Sequence, residues 1–105
     1  MVRDYELTLI LRSQLEEEGI ASTIEKVKGW IEGEGGTVVR VDHWGRRRLA
    51  YLIRKEREGF YVFVLAQLDP AQVVRIERNI KLSEDILRHL FVRIEPESKP
   101  EAAAA

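Results

Sequence analysis

Phe60-Tyr61-Val62-Phe63-Val64-Leu65-Ala66-Gln67-Leu68-Asp69-Pro70 decides the fold. Residues 60–68 are rich in β-branched and aromatic side chains and read as a strand. Aspartate followed by proline then starts a helix: an N-cap, and a residue suited to the first helical position. Val73, Ile76 and Ile80 form that helix's buried stripe. Upstream, Arg54-Lys55-Glu56-Arg57-Glu58-Gly59 is polar, ends in glycine and reads as a hairpin loop. Before it, Val38 to Ile53 reads as a long strand with an irregularity at Gly45, a candidate bulge. Strands joined by such a loop run antiparallel.

The flanks complete the pattern. Tyr5, Leu7, Leu9 and Leu11 alternate onto one face of a first strand. Ser13, with Glu16 three residues later, predicts a capping box. The helix after it carries Ile20, Ile24, Val27 and Ile31 on one stripe, with Glu16, Glu17 and Glu18 in its first turn, and Gly33, Gly35 and Gly36 end it. After the second helix, Ser83-Glu84-Asp85 turns the chain into a fourth strand, Ile86 to Glu95. The order β-α-β-β-α-β predicts an α+β ferredoxin-like plait, a four-stranded antiparallel sheet with two helices on one face. Residues 1–95 form that domain, and residues 96–105 read as a flexible polar tail without core residues.

Composition narrows the function classes. The 105 residues suit one domain, and 45% apolar with 33% charged residues is ordinary for a soluble one. No cysteine is present, which excludes disulfides, thiolate metal sites and a thiol nucleophile. The only histidines, His43 and His89, are far apart and read as strand residues without chemistry. No cofactor or metal is expected. The longest apolar run, Phe60 to Ala66, is too short to span a bilayer as a helix. Met1-Val2-Arg3-Asp4 lacks a signal peptide's apolar stretch, so a cytoplasmic location is expected.

Net charge is −1, but residues 1–34 carry four basic and eight acidic side chains, whereas residues 40–57 carry seven basic and two acidic ones. Arginine supplies twelve of the seventeen basic residues and suits phosphates. The block therefore reads either as a site for a focused anionic partner or as a solvated strand pair. The sheet face away from the helices should be polar unless something binds it. Tyr61, Phe63 and Leu65 oppose Phe60, Val62, Val64 and Ala66 on the third strand, Ile10 lies outward on the first, and the fourth has apolar residues on both faces. An uncovered apolar face predicts a docking surface. Base stacking, as in RNA-recognition modules, fits poorly. Glu58 stands where their glycine-aromatic motif has a basic residue, Tyr61 where it has a small one, and the first strand offers Glu6 and Thr8 outward.

Trp44-Gly45-Arg46-Arg47-Arg48-Leu49-Ala50-Tyr51-Leu52-Ile53-Arg54-Lys55 closely resembles the motif of the bacterial small-subunit ribosomal protein six family. Tyr5-Glu6, Gly59-Phe60-Tyr61 and Asp85-Ile86-Leu87-Arg88 are similar to that family at matching places, so the resemblance spans about residues 3–95. Leu52 replaces the family's usual proline, which predicts a more regularly paired strand there. The resemblance implies a structural, non-enzymatic constituent of the small ribosomal subunit. Such a protein binds ribosomal RNA on the platform as a heterodimer with ribosomal protein eighteen and serves translation in the cytoplasm. It implies an RNA surface at Arg46, Arg47, Arg48 and Arg54, extended by Arg3 and Arg88 on neighbouring strands. Ile10, Trp44, Tyr61, Phe63 and Leu65 then form the protein-partner surface, with contacts from the C-terminal tail.

Individual residues keep two readings. Arg46, Arg47 and Arg48 alternate across a strand, so at least one is expected to pair with a Glu or Asp of the chain while the others face RNA. Trp44 reads as an interface anchor or as packing over the end of the first helix. Tyr51 reads as a stacking group or as a core-edge tyrosine. An acylphosphatase-type enzyme is disfavoured: Leu11-Arg12-Ser13-Gln14 lacks the glycines of a phosphate cradle, and the only asparagine, Asn79, lies on the second helix. The alternative kept open is a ferredoxin-like ligand-sensing or regulatory domain, hinted at by Gly35-Gly36.

Overall fold

The computed structural model describes residues 1–94, and the expected tail lies outside the described residues. The elements are β1 (Arg3–Arg12), α1 (Glu17–Gly33), β2 (Thr37–Ile53), β3 (Glu56–Leu68), α2 (Pro70–Leu82) and β4 (Ile86–Ile94). They form one antiparallel sheet in the order β2-β3-β1-β4, the topology of a ferredoxin-like α+β plait.

The period-two pattern of β1 does what it predicts. Leu7, Leu9 and Leu11 are fully buried, and Tyr5 nearly so, because they share the helix-covered face with Val62, Val64, Ala66 and Leu68 of β3. Ile20, Ile24, Val27 and Ile31 of α1 and Ile76 and Ile80 of α2 close the core from above.

The helix ends divide between expectation and correction. Asp69 caps α2: its side chain accepts from the Ala71 N–H at 2.9 Å, while Gln72 Oε1 accepts from the Asp69 N–H at 3.0 Å. The Met1 ammonium, bonded to Asp69 at 2.7 Å, together with the Ala71 N–H, holds that carboxyl below the usual aspartate value. The capping box expected from Ser13 and Glu16 does not form. Glu16 is itself the N-cap of α1, without a side-chain capping bond, because Ser13 is taken into the turn that leaves β1. At the other end, Gly36 N–H donates to the Ile31 carbonyl and Gly35 N–H to the Glu32 carbonyl, with Gly35 at φ +87°. This is a Schellman closure, and a Cβ on Gly36 would sit 2.4 Å from Leu68 Cδ2. The glycine pair therefore serves helix termination and close packing, which removes the hint of a ligand loop.

The β2–β3 hairpin is tighter than expected. The residues between Ile53 and Glu56 form a two-residue turn, so Glu56 to Gly59 belong to β3 instead of a loop. Arg54 and Lys55 both take positive φ, 49° and 68°, a shape that glycine and asparagine normally supply. A left-handed non-glycine residue costs about 1–2 kcal/mol. Lys55→Gly relieves that cost but adds unfolded-chain entropy of about 0.4–1 kcal/mol. The expected net is a stabilisation of about 0.5–1 kcal/mol, read from the urea midpoint. A destabilised variant would show that the turn is unstrained.

Candidate functional site

Side chains opposite one another in an antiparallel ladder share a face, so register assigns the open side of the sheet. Ile10 opposes Tyr61 and Arg88, Thr8 opposes Phe63 and Leu90, and Glu6 opposes Leu65 and Val92. All these residues face away from the helices. Leu90 is 59% exposed and Val92 44%. On β2, Gly45 takes φ +86° at a register shift, the bulge expected there. The Trp44 ring lies against Phe63, with centroids 4.5 Å apart. Trp44 is thus on the open face, not over the end of α1. The five expected partner residues, Ile10, Trp44, Tyr61, Phe63 and Leu65, fall on one surface.

Beyond Arg46, β2 and β3 continue as a two-stranded arm. The third irregularity of the β2–β3 ladder falls between Arg48 and Ile53. The strand around Leu52 is therefore not regularly paired: the chain bends there without a proline. The bend carries the arm back over the open face. Tyr51 of β2 reaches β4, the far edge of the sheet, where its hydroxyl accepts a hydrogen bond from the Arg88 guanidinium. That guanidinium also lies 5.7 Å from the Tyr51 ring centroid. Arm and sheet enclose a groove of about 330 Å³, lined by Ile10, Leu49, Tyr51, Tyr61, Arg88 and Leu90 among others.

The arginines separate by what occupies them. Arg46 donates from Nε to the Ser13 carbonyl at 3.2 Å and from Nη2 to the Leu15 carbonyl at 3.0 Å. Gln14 Nε2 adds a bond to Glu56 at 2.6 Å, so the β1–α1 loop and the arm are tied together. Arg47, on the opposite face, lies 5.2 Å from the Trp44 ring centroid. Arg48 is exposed and Arg54 sits at the turn. None of Arg46, Arg47 and Arg48 makes the expected ion pair with a Glu or Asp among the described residues, because backbone carbonyls and an aromatic face take up the first two. Arg40 pairs with Asp42 at 3.0 Å, and Arg12 approaches Asp85 at 3.7 Å.

Arg3 and Arg88 do not extend one patch. Their strands are neighbours, but Arg88 opposes Ile10, about 24 Å along β1 from Arg3 at about 3.4 Å per residue. His89 bonds Glu77 at 2.9 Å and ties β4 to α2, while His43 packs edge-on to Phe60. Tyr51 and its bond to Arg88 lay outside the expected surface, since only tertiary structure brings residues 37 apart together. The alternation in β4 is the signal that marks Leu90 and Val92.

The sequence model described as ribosomal protein S6 matches residues 4–93. Small ribosomal subunit protein bS6 of Moorella thermoacetica is 42% identical over 97 residues, covering 92% of this chain and 99% of that protein. The bS6 protein of Carboxydothermus hydrogenoformans is 42% identical over 93 residues, covering 89% and 97%. The crystal structure of 30S ribosomal protein S6 from Thermotoga maritima aligns with a TM-score of 0.84 at 28% identity, covering 90% of this chain and 89% of that one.

Proposed function

The chain belongs to the ribosomal protein S6 family, a family of structural proteins and not of enzymes, and from that premise we propose how it serves the small ribosomal subunit. It binds small-subunit ribosomal RNA on the platform together with ribosomal protein eighteen, as a heterodimer, in the cytoplasm. Residues 1–95 carry both surfaces.

The separation of two chemistries supports this reading. The open face is apolar at Ile10, Tyr61, Phe63 and Leu65, with Leu90 and Val92 exposed beside them, and a face of this kind suits a protein partner. Glu6 shares that face, and Asp42 there is taken up by Arg40. The arm carries the arginines at positions suited to phosphates. With net charge −1, the chain's own non-specific RNA binding should be weak, about 0.1 mM or poorer in dissociation constant at physiological salt.

Sedimentation tests the reading at its coarsest level. A tagged chain expressed in bacterial cells is expected to travel with small subunits through a sucrose gradient and to resist a moderate salt wash. A chain that stays at the top of the gradient while small subunits assemble normally would contradict it.

A further inference from the structure

Backbone pairing does little to set the direction of the arm. Arg48 pairs with Glu58 and Ile53 with Glu56, so Leu49 to Leu52 stand opposite Arg57 alone. A two-stranded ribbon is at best marginally stable by itself, and this one has a broken ladder, so side-chain contacts with the sheet must hold it. Two contacts on the open face do so. At the root, Leu49 and Ile10 meet above the buried Gly59: a Cβ added there would overlap Ile10 Cγ2 and lie 3.5 Å from Leu49 Cδ2. Further out, the Tyr51 hydroxyl accepts a hydrogen bond from Arg88 Nη1, and the guanidinium carbon lies 5.7 Å from the centroid of the same ring. That contact joins β2 to β4 across the two strands between them. Tyrosine is a neutral partner, so it orients the guanidinium without cancelling its charge.

We propose that Arg88 is a positioning residue for RNA binding and not a phosphate contact: through Tyr51 it fixes the arm over the sheet, while Gly59 leaves the space in which Leu49 seats. This rests on the RNA-binding reading above and reassigns one of its expected contacts. A fixed arm presents its own arginines without the ordering cost that a swinging ribbon carries on binding.

The test titrates the full chain, saturated with ribosomal protein eighteen, onto a platform RNA fragment at several salt concentrations. Arg88→Ala is expected to weaken binding about three- to tenfold at an unchanged salt slope, whereas losing a phosphate contact lowers that slope by about 0.7–0.9. Tyr51→Phe removes no charge and keeps the ring, and should cost about threefold. The double variant should lose no more than Arg88→Ala alone, because both changes break one contact. Arg88→Lys keeps the charge but not the planar fork, and should not restore wild-type affinity. Gly59→Ala should weaken binding, again at an unchanged slope. Thermal melts establish that the variants fold.

A slope lowered by a full contact in Arg88→Ala, with Tyr51→Phe at wild-type affinity, would make Arg88 a phosphate contact and overturn the proposal. Wild-type affinity in Arg88→Ala, full rescue by Arg88→Lys, or strictly additive losses in the double variant would overturn it as well. A wild-type heterodimer that fails to bind the fragment would instead bring down the functional reading itself.

Discussion

Replacing Phe63 with aspartate is expected to weaken the complex with ribosomal protein eighteen at least about a hundredfold and to leave the chain folded. Phe63 sits near the centre of the open face, opposite Thr8 on β1 and Asp42 on β2, with its ring against Trp44. Central aromatic residues in desolvated interfaces carry about 2 kcal/mol or more each. Burying an unpaired carboxylate in the same place adds a penalty of similar size. The sheet's other face holds the core, and Val62 and Val64 on either side of Phe63 point into it. The fold therefore survives, at the cost of one like-charge neighbour in Asp42, about 0.2–1 kcal/mol. Calorimetric titration and a thermal melt of the same sample separate the two effects. Unchanged affinity in a folded variant would remove the open face as the partner surface.

The largest stability effect is expected one strand away. Leu9 lies on β1 between β3 and β4, opposite Val62 and His89, and has no exposed surface. Leu9→Ala leaves a cavity where neighbours on both sides are already paired in the ladder and cannot collapse far. The expected cost is about 2–5 kcal/mol. Domains of this size are stable by about 5–15 kcal/mol, so the change removes a large part of the total. Urea denaturation reads it as a shifted midpoint. Ile10, the next residue but half-buried on the open face, should cost less on the same truncation. Equal costs at the two positions would contradict the assignment of faces.

Much of this was legible in the residues because the signals are local and periodic. Alternation in Tyr5 to Leu11 separates the two faces of β1, and the stripes of α1 and α2 mark the buried sides of the helices. Asp69-Pro70 and Gly35-Gly36 mark helix ends by backbone chemistry that any fold would use. Gly45 marks a bulge because few residues take its φ at low cost.

What was not legible depends on tertiary placement. Arg54-Lys55 lacks the asparagine or glycine of a tight turn, so the polar run to Gly59 looked like a loop when most of it extends β3. Arg46, Arg47 and Arg48 are alike in sequence, yet one clamps carbonyls of another loop, one lies by a tryptophan ring and the side chain of the third has no partner among the described residues. Alternation established that they diverge, and only the fold determines toward what. Arg88 belongs to the apolar groove through Tyr51, although its strand neighbours that of Arg3.

The central claim is that the open face takes the protein partner while the arm takes RNA, so partner and RNA binding reinforce one another. The direct measurement is the affinity of the full chain for the platform RNA fragment, with and without ribosomal protein eighteen, for the wild type and for Phe63→Asp. The account predicts weak binding by the wild-type chain alone, about 0.1 mM or poorer, a large gain when the partner is added, and no gain for Phe63→Asp. Tight, sequence-selective binding by the chain alone, lost in Phe63→Asp, would contradict it and make the open face an RNA platform.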